Sequence, residues 1–266
     1  MKQVEDARVL VIRPLAQDIY LLVLHAPGIV DSSRVGQFVN LQVPGDGSRI
    51  LRRPISISRT DRKAGTMDLV VQVLGGGTRR ICDIEPGESV SIVGPQGNGF
   101  TRFEQVQNLW LVGGGVGIAP LLMAAEAYKE HNPNGHLRVF LGYASREKAY
   151  YDHAFDPYAE EVYIATEDGS LGQGGYVTAS MEKTLREGHA PSLVLACGPA
   201  PMLKAVQAIV NARGIRCQLS LEERMACGIG ACVGCVCKIG TPKDWTYRRV
   251  CSHGPVFDSR EVLFDA

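Results

Sequence analysis

Four cysteines near the C-terminus constrain this chain more than any other feature of its sequence. Cys227 is followed by Cys232 after four intervening residues and by Cys235 after two more, and Cys251 comes after a further fifteen. This is the plant-type spacing for the four thiolate ligands of a [2Fe–2S] cluster. The residues between the first three are mostly small or apolar, so backbone N–H groups can turn towards sulfur and tune the cluster. The spacing therefore predicts an iron–sulfur site.

Other uses of these cysteines remain open from the residues alone. Structural zinc usually prefers two Cys-x2-Cys pairs, and only Cys232 and Cys235 have that spacing. A set of disulfides is disfavoured in a reducing compartment. Cys237 lies two residues beyond Cys235 and would point to the opposite side of an extended chain, so we leave it out of the ligand set. Cys82 and Cys217 have no assigned role.

The overall composition excludes several classes of protein. Lysine and arginine number 28 and aspartate and glutamate also number 28, so the formal net charge of the 266 residues is zero. A nucleic-acid-binding protein or a polybasic membrane-binding protein would carry a positive excess, so we expect neither as a partner. The N-terminal residues lack the apolar core of a signal peptide, and no apolar run approaches 18 residues. We therefore expect a cytoplasmic protein.

The first 101 residues have the pattern of β-structure. Runs of β-branched or alternating apolar residues are separated by Gly, Pro and Asp turns, for example at 9–12, 19–24, 38–43 and 89–93. Short strands at this regular spacing, with almost no helical periodicity, predict a small antiparallel β-barrel.

Strands alternate with helices from about residue 102 to 213. We predict apolar strands at 109–112, 137–143, 162–166 and 193–197, and helices from Pro120, around 181–187 and around 201–213. Apolar strands bounded by helices indicate a Rossmann-like parallel sheet that is covered on both faces. The remaining residues, 214–266, are too few for much of a core, so we expect the cluster to organise them.

A glycine-rich segment at 113–120 joins the first of these strands to the helix that follows. Glycines there allow a pyrophosphate to approach the backbone, and the helix N-terminus offers free N–H groups. We predict that Gly113, Gly115 and Gly117 bind NAD, although the end of the G-x-G-x-x-G pattern is not met. A tight strand-to-helix connection without a ligand would look the same. Acidic residues are poorly placed for a ribose hydroxyl, which leaves NAD only slightly favoured over NADP.

Cys197 and Gly198 end another predicted strand at the same edge of the sheet. Open α/β sheets bind ligands at the carboxyl ends of their strands, so we add both residues to the NAD site. The alternative for Cys197 is a small buried apolar side chain.

Three polar segments interrupt the β-region. Residues 52–58 place two arginines, a proline and hydroxyls in a β-type run, where an arginine can hold a phosphate and a serine can hydrogen-bond a flavin ring. Glycine turns are predicted at 75–80 and 94–100. Each segment alone would be interpreted as a solvated turn with surface arginines.

Taken in order, six motifs resemble the ferredoxin–NADP reductase superfamily over nearly the whole chain. They are R-P-I-S, G-G-G-T, G-P-Q-G-N-G-F, G-G-G-V-G-I-A-P, C-G-P-x-P-M and the cysteine motif. More narrowly, L-E-E-R-M-A-C-G-I-G-A-C at 221–232 and G-P-V-F at 254–257 resemble the electron transfer subunits of type B dihydroorotate dehydrogenase.

The resemblance implies a fold and a set of cofactor sites. It implies an FAD-binding β-barrel domain at 1–101, an NAD-binding α/β domain at 102–213 and a small ferredoxin-like [2Fe–2S] domain at 214–266. Each subunit would hold one FAD and one cluster, with NAD(H) as substrate. Arg53 would lie near the FAD pyrophosphate and Ser56 near the isoalloxazine. The other implied FAD contacts are Pro54, Ile55, Val70, Val71, Gln72, Gly77 and Thr78. The implied cluster ligands are Cys227, Cys232, Cys235 and Cys251.

The implied function is electron transfer in pyrimidine biosynthesis. A catalytic subunit containing FMN would oxidise dihydroorotate, and electrons would pass from FMN through the cluster and FAD to NAD+. Two copies of each subunit would form a heterotetramer. FAD suits the junction because hydride carries two electrons and the cluster accepts one. The chain has no motif of its own for binding orotate, so we predict no catalytic residue for dihydroorotate oxidation in it.

Two alternatives differ in partner or in class. A subunit of another NAD(P)H-linked flavin and iron–sulfur complex, such as a sulfide- or ferredoxin-linked reductase, would keep the cofactors and change the partner. Relatives with those roles often depart from four cysteines, and all four are present here. A zinc-stabilised interaction module without enzymatic activity would leave the R-P-I-S motif and both glycine turns without a purpose.

Overall fold

The N-terminal region is a closed antiparallel barrel. A computed structural model of the chain describes residues 3–45, 47 and 49–264. The six barrel strands follow the order β1-β2-β5-β4-β3-β6, and two short helices lie between them. The strands are β1 (Gln3–Ala16), β2 (Ile19–His25), β3 (Phe38–Leu41), β4 (Arg53–Asp61), β5 (Thr66–Gln72) and β6 (Ser89–Gln96). The helices are α1 (Pro27–Ser32) and α2 (Gly76–Cys82).

Alternation of side chains builds the barrel core. In β1, Ala7 and Val9 are fully buried while their neighbours along the strand are exposed. Because successive side chains of a strand point to opposite faces, one face of each strand fills the barrel. Leu22, Val39 and Ile92 from other strands meet them there. The predicted antiparallel barrel is confirmed.

The second region is a seven-stranded sheet in the order β10-β9-β8-β7-β11-β12-β15, in which only β15 runs antiparallel to its neighbour. Its strands are β7 (Asn108–Gly114), β8 (His136–Tyr143), β9 (Glu161–Thr166), β10 (Gln173–Gly174), β11 (Leu193–Cys197), β12 (Cys217–Ser220) and β15 (Val256–Asp258). Its helices are α3 (Ala119–His131), α4 (Val177–Arg186) and α5 (Ala200–Asn211). One-turn 3₁₀ helices lie at Phe103–Gln105, Gly115–Ile118 and Arg146–Lys148.

The C-terminal region is divided between two sheets. Strands β13 (Val236–Thr241), β14 (Asp244–Arg249) and β16 (Val262–Leu263) form a small antiparallel sheet in the order β14-β13-β16. Strands β12 and β15, which also lie beyond residue 213, complete the large sheet instead. The predicted fold class is confirmed, while the residue boundaries of the three domains stay a prediction.

Two of the predicted glycine turns are wrong in part. The segment at 75–80 contains the start of helix α2. The Thr78 hydroxyl accepts hydrogen bonds from the N–H groups of Leu74 and Gly75 at 3.0 and 3.3 Å. In the segment at 94–100, the first three residues still belong to β6, so the turn starts at Gly97. Glycine occurs both in turns and at helix starts, so composition alone does not separate the two.

Polar contacts join the barrel to the large sheet. The buried Ser58 hydroxyl donates to the carbonyl of Ala119 at 2.9 Å, where the 3₁₀ turn meets α3. The guanidinium of Arg59 lies 2.8 Å from the Glu126 carboxylate on the same helix. Within the described ranges, no helix is long and apolar enough to cross a membrane.

Candidate cofactor sites

Residues 221–235 connect β12 to β13, and we call the part at 227–235 the cysteine loop. The structure describes every residue of the cysteine loop, and none belongs to a helix or strand. The N–H of Cys232 donates to Cys227 Sγ at 3.4 Å, and the N–H of Cys251 donates to Cys235 Sγ at 3.5 Å. The four predicted ligands are therefore brought together as two contacting pairs.

Backbone N–H groups gather around the first sulfur. Gly228 and Gly230 have φ of 64° and 95°, a left-handed conformation that glycine adopts without steric cost. Burial acts to raise the pKa of the Cys227 thiol, but hydrogen bonds from the N–H groups of Cys232, Ile229 and Ala231 outweigh it and lower that pKa to about 6. Donors arranged in this way favour a thiolate, which is the form that binds iron.

The donor set fits a two-iron cluster. Among residues 3–45, 47 and 49–264, no three His, Cys, Asp or Glu side chains are close enough to hold one metal ion together. The fit rests on the two observed pairs, Cys227 with Cys232 and Cys235 with Cys251, because each iron of a [2Fe–2S] cluster takes two thiolates. Cys251 is fully buried. Burial is the main cause that raises the pKa of its thiol to about 11, and a hydrogen bond with Cys235 is the second.

Two side chains hold the cysteine loop from outside. The Arg249 guanidinium donates to the carbonyl of Gly230 at 2.6 Å. The Asn40 amide of strand β3 donates to the carbonyl of Gly228 at 3.3 Å. The side chain of Ile229, between these two glycines, and that of Val233 further along the loop remain exposed, with 50% and 56% of their surface accessible.

The predicted FAD residues of β4 lie next to helix α2. Arg53, Pro54, Ile55 and Ser56 are all half-buried. The Arg53 guanidinium packs onto Gly77 so closely that a Cβ atom there would lie 2.7 Å from Nη2. A cation held against a bare backbone suits a phosphate group. Arg52 is engaged elsewhere, since it donates to the Ser91 carbonyl at 2.7 Å.

The predicted FAD residues of β5 offer mainly their backbone. Val71 is fully buried in the barrel core, and Val70 is buried on the other face, among residues of the large sheet and α3. Gln72 is half-buried at the end of the strand. The two valine side chains are therefore occupied by packing, and Gly77 with Thr78 lies one loop further along the chain.

Residues 113–117, here called the dinucleotide turn, meet Cys197 and Gly198 at one edge of the sheet. Gly113 lies opposite Cys197 in the parallel register of β7 and β11. A Cβ atom on Gly117 would lie 2.6 Å from the Cys197 carbonyl and from the Gly198 nitrogen, so the two segments pack backbone to backbone. Gly115, with φ of 53°, has open space where its Cβ would be. The structure thus brings the predicted NAD residues together.

A buried tyrosine hydrogen-bonds the backbone of the dinucleotide turn. Tyr150 Oη lies 3.2 and 3.1 Å from the carbonyl oxygens of Gly115 and Val116. Burial raises the pKa of Tyr150 well above its usual value, so the hydroxyl stays neutral and can donate. Burial also raises the pKa of Cys197 to about 12, which leaves an inert thiol of the kind expected for a small buried side chain.

Sequence analysis missed three of these residues. Arg249 lies two positions before the predicted ligand Cys251, and that proximity was an available signal. No local sequence signal marks Tyr150 or Asn40, because the residues that they hydrogen-bond, Val116 and Gly228, lie 34 and 188 residues away in the chain.

Comparison with protein families assigns all three regions in order. The model of an oxidoreductase FAD-binding domain matches residues 8–100, and that of an oxidoreductase NAD-binding domain matches 111–208. The model of the iron–sulfur cluster binding domain of dihydroorotate dehydrogenase B matches residues 222–263.

Comparison with individual proteins covers nearly the whole chain. The electron transfer subunit of dihydroorotate dehydrogenase B (NAD+) from Caldanaerobacter subterraneus is 41% identical, over 97% of this chain and 98% of its own length. The subunit of the same name from Enterococcus faecalis is 42% identical, over 94% and 95%. A solved NADH-dependent reduced ferredoxin–NADP oxidoreductase superposes with a TM-score of 0.84 at 28% identity, over 97% and 89%. Ferredoxin–NADP+ reductase from Plasmodium falciparum, at 14% identity, a TM-score of 0.63 and coverage of 78% and 89%, shares the fold.

Proposed function

This chain belongs to the family of electron transfer subunits of dihydroorotate dehydrogenase B (NAD+), and on that premise we propose that it carries electrons between a catalytic subunit and NAD+. It is an oxidoreductase subunit with binding regions for FAD, NAD and an iron–sulfur cluster. The observation that carries the proposal is the set of four cysteines in two contacting pairs. The same chain has a six-stranded barrel in the region matched by the FAD-binding model and a seven-stranded sheet in the region matched by the NAD-binding model.

Each group of residues has a part in this function. When bound, FAD exchanges hydride with NAD(H) and single electrons with the cluster. Arg53 would neutralise the FAD pyrophosphate, and Ser56, with Pro54 and Ile55, would lie along the ring. The backbone of Val70, Val71 and Gln72 and the segment Gly77–Thr78 would complete the FAD site.

The NAD and cluster sites use the remaining predicted residues. Gly113, Gly115 and Gly117 would receive the pyrophosphate of NAD(H), with Cys197 and Gly198 forming the adjacent wall through their backbone. The thiolates of the four cysteines, Cys227, Cys232, Cys235 and Cys251, would bind the two irons. The N–H groups around Cys227 would hold it deprotonated and tune the cluster.

The partner would be a catalytic subunit that contains FMN and oxidises dihydroorotate, in a heterotetramer of two copies of each subunit. The cluster must lie close to the partner's flavin for rapid electron transfer. Exposed Cys232, Ile229 and Val233 support the cysteine loop as part of that interface, because exposed apolar side chains gain from being covered. The reduced thiols that a cluster requires support a cytoplasmic location.

The alternative partner, a sulfide- or ferredoxin-linked reductase, is not favoured. The solved NADH-dependent reduced ferredoxin–NADP oxidoreductase is 28% identical, whereas the dihydroorotate dehydrogenase relatives reach 41% and 42% over a similar share of the chain.

Reconstitution with and without the partner tests the proposal. The purified chain should show flavin absorption bands and an iron–sulfur shoulder, and it should reduce dyes with NADH but leave dihydroorotate unchanged. Addition of the catalytic subunit should start dihydroorotate-dependent reduction of NAD+. Turnover of dihydroorotate by the chain alone would refute the division of labour.

A substitution separates the two halves of the path. Cys232→Ser should remove the cluster and lower transfer to the partner by roughly 100-fold or more, while NADH–dye activity stays within about twofold of the wild type. Partner-coupled turnover that survives loss of the cluster would show that electrons take another route.

A further inference from the structure

Strand β3 stands between the candidate flavin strand and the cysteine loop. In the antiparallel β3–β4 register, Pro54 lies opposite Asn40 and Ser56 lies opposite Phe38. Phe38 and Asn40 are two residues apart, so their side chains share one face of the strand. On that face, Phe38 belongs to the same buried cluster of side chains as Cys235 and Cys251. One short strand therefore borders both candidate sites.

Asn40 makes the polar contact across this boundary. Its side chain is buried, with 1% exposed, and Nδ2 donates to the Gly228 carbonyl at 3.3 Å. Gly228 has φ of 64°, and a Cβ atom there would overlap Nδ2 and lie 2.8 Å from Cγ of the amide. The loop backbone thus rests directly on the Asn40 amide, one residue away from the candidate ligand Cys227.

We propose that Asn40 is a positioning residue that fixes the separation of FAD and the cluster and thereby sets the rate at which electrons pass between them. The inference rests on the proposed electron path. Each passage oxidises one centre by one electron and reduces the other by one. Two electrons and one proton make up one hydride, so reduction of NAD+ takes one proton from water and oxidation of NADH returns one proton to water. Electron transfer slows steeply with distance, and a buried carbonyl that loses its donor shifts to find another.

Pre-steady-state kinetics on the subunit with both cofactors tests this role. After anaerobic mixing with NADH, flavin bleaching reports the hydride step, and the later bleaching and EPR signal of the cluster report the electron step. Asn40→Leu keeps a similar volume and removes the donor. We expect an unchanged hydride step, electron transfer slowed by about tenfold, and full iron content. Ser33→Ala is the matched control, because it removes a buried hydroxyl that donates within the barrel, to Val30 at 2.9 Å.

A redox titration separates position from driving force. If Asn40 acts through distance, the reduction potential of the cluster stays unchanged while the rate falls. Equal rates of cluster reduction in Asn40→Leu and wild type would overturn the inference, and so would a fall in rate explained wholly by a shifted potential. If the wild-type protein itself shows no reduction of its cluster by NADH, the proposed electron path fails instead.

Variants on both sides of the contact guard against simple misfolding. Asn40→Asp retains the shape but cannot donate to a carbonyl, so its rate of electron transfer tests the role of Asn40 if Asn40→Leu loses a cofactor.

Gly228→Ala should also slow electron transfer, because its new Cβ atom would meet the Asn40 amide. Asn40→Ala serves as the second single variant. In the double variant Asn40→Ala, Gly228→Ala the overlap is relieved, and we expect a smaller loss than the effects of Asn40→Ala and Gly228→Ala combined. Strictly additive effects would contradict a direct contact.

Discussion

The dinucleotide turn and the cysteine loop are both rich in glycine, yet different forces give them their shapes. The dinucleotide turn continues a buried strand, and Gly117 is packed against the backbone of Cys197. The cysteine loop has no regular secondary structure and exposes Cys232 together with half of Ile229. Its described contacts to the rest of the protein include single hydrogen bonds from Asn40 and Arg249.

This difference shows which site the polypeptide builds on its own. Close packing fixes the dinucleotide turn before any ligand arrives, since buried apolar contacts surround it on several sides. A loop held by a few hydrogen bonds gains most of its order from the metal that its thiolates bind. We therefore expect NAD binding to depend on side-chain volume and the cluster site to depend on iron.

Removal of the iron should have the largest effect. Chelation under reducing conditions should speed amide hydrogen exchange in the cysteine loop by roughly 10³-fold and leave strand β7 and the dinucleotide turn nearly unchanged. Hydrogen exchange with mass spectrometry measures both regions in one sample, and reinsertion of iron is the control. A cysteine loop that stays protected without iron would remove the distinction between the two regions.

The iron-free protein should also show different thiol reactivity in the two regions, because Cys227 lies in the loop that loses order and Cys197 is buried in the sheet. Without the N–H donors that lower its pKa to about 6 in the ordered loop, Cys227 behaves as an ordinary thiol, a few per cent thiolate at pH 7, whereas Cys197 keeps a pKa of about 12. Thiolate fraction then favours Cys227 by roughly 3,000-fold and its weaker nucleophilicity offsets about 30-fold of that, so alkylation should be about 100-fold faster. The alkylation rate of Cys227 should keep rising with pH through the neutral range, whereas a rate that levels off near pH 6 would show that the loop keeps its N–H donors without iron. Mass spectrometry of iodoacetamide-treated protein tests this, and equal labelling of both thiols would contradict it.

Packing at the dinucleotide turn can be tested by adding one methyl group. Gly117→Ala would place Cβ 2.6 Å from the Cys197 carbonyl and the Gly198 nitrogen, which are backbone atoms that cannot rotate away. We expect a loss of about 3 kcal/mol in unfolding free energy and a higher KM for NADH. Gly115→Ala is the matched control, because it meets open space and costs only about 1 kcal/mol for its positive φ. Denaturant unfolding and NADH–dye kinetics measure both, and equal losses would show that packing is not decisive.

The sequence predicts those parts of the molecule that local pattern determines. Strand β11 has the predicted bounds, 193–197, because every residue in it is apolar and buried. The glycine turn at 113–117 lies at the predicted sheet edge, since parallel strands end together. The contact between Asn40 and Gly228 joins residues 188 apart, which no local pattern encodes. Strand β15 joins the large sheet because the C-terminal part of the chain passes beside β12 and pairs with it. Its three residues are too few to show a periodic pattern of apolar side chains.

The smallest effect should come from the hydroxyl that holds the dinucleotide turn. Tyr150→Phe keeps the packing of the ring and removes the donor to Gly115 and Val116, a loss of about 1 kcal/mol for a neutral hydrogen bond. If that energy holds the turn in its binding shape, the KM for NADH rises about fivefold while kcat for dye reduction and FAD content are unchanged. Tyr158→Phe is the matched control, because its hydroxyl donates to Glu126 at 3.0 Å, away from the turn. A fall in kcat at constant KM would instead place Tyr150 in the hydride step.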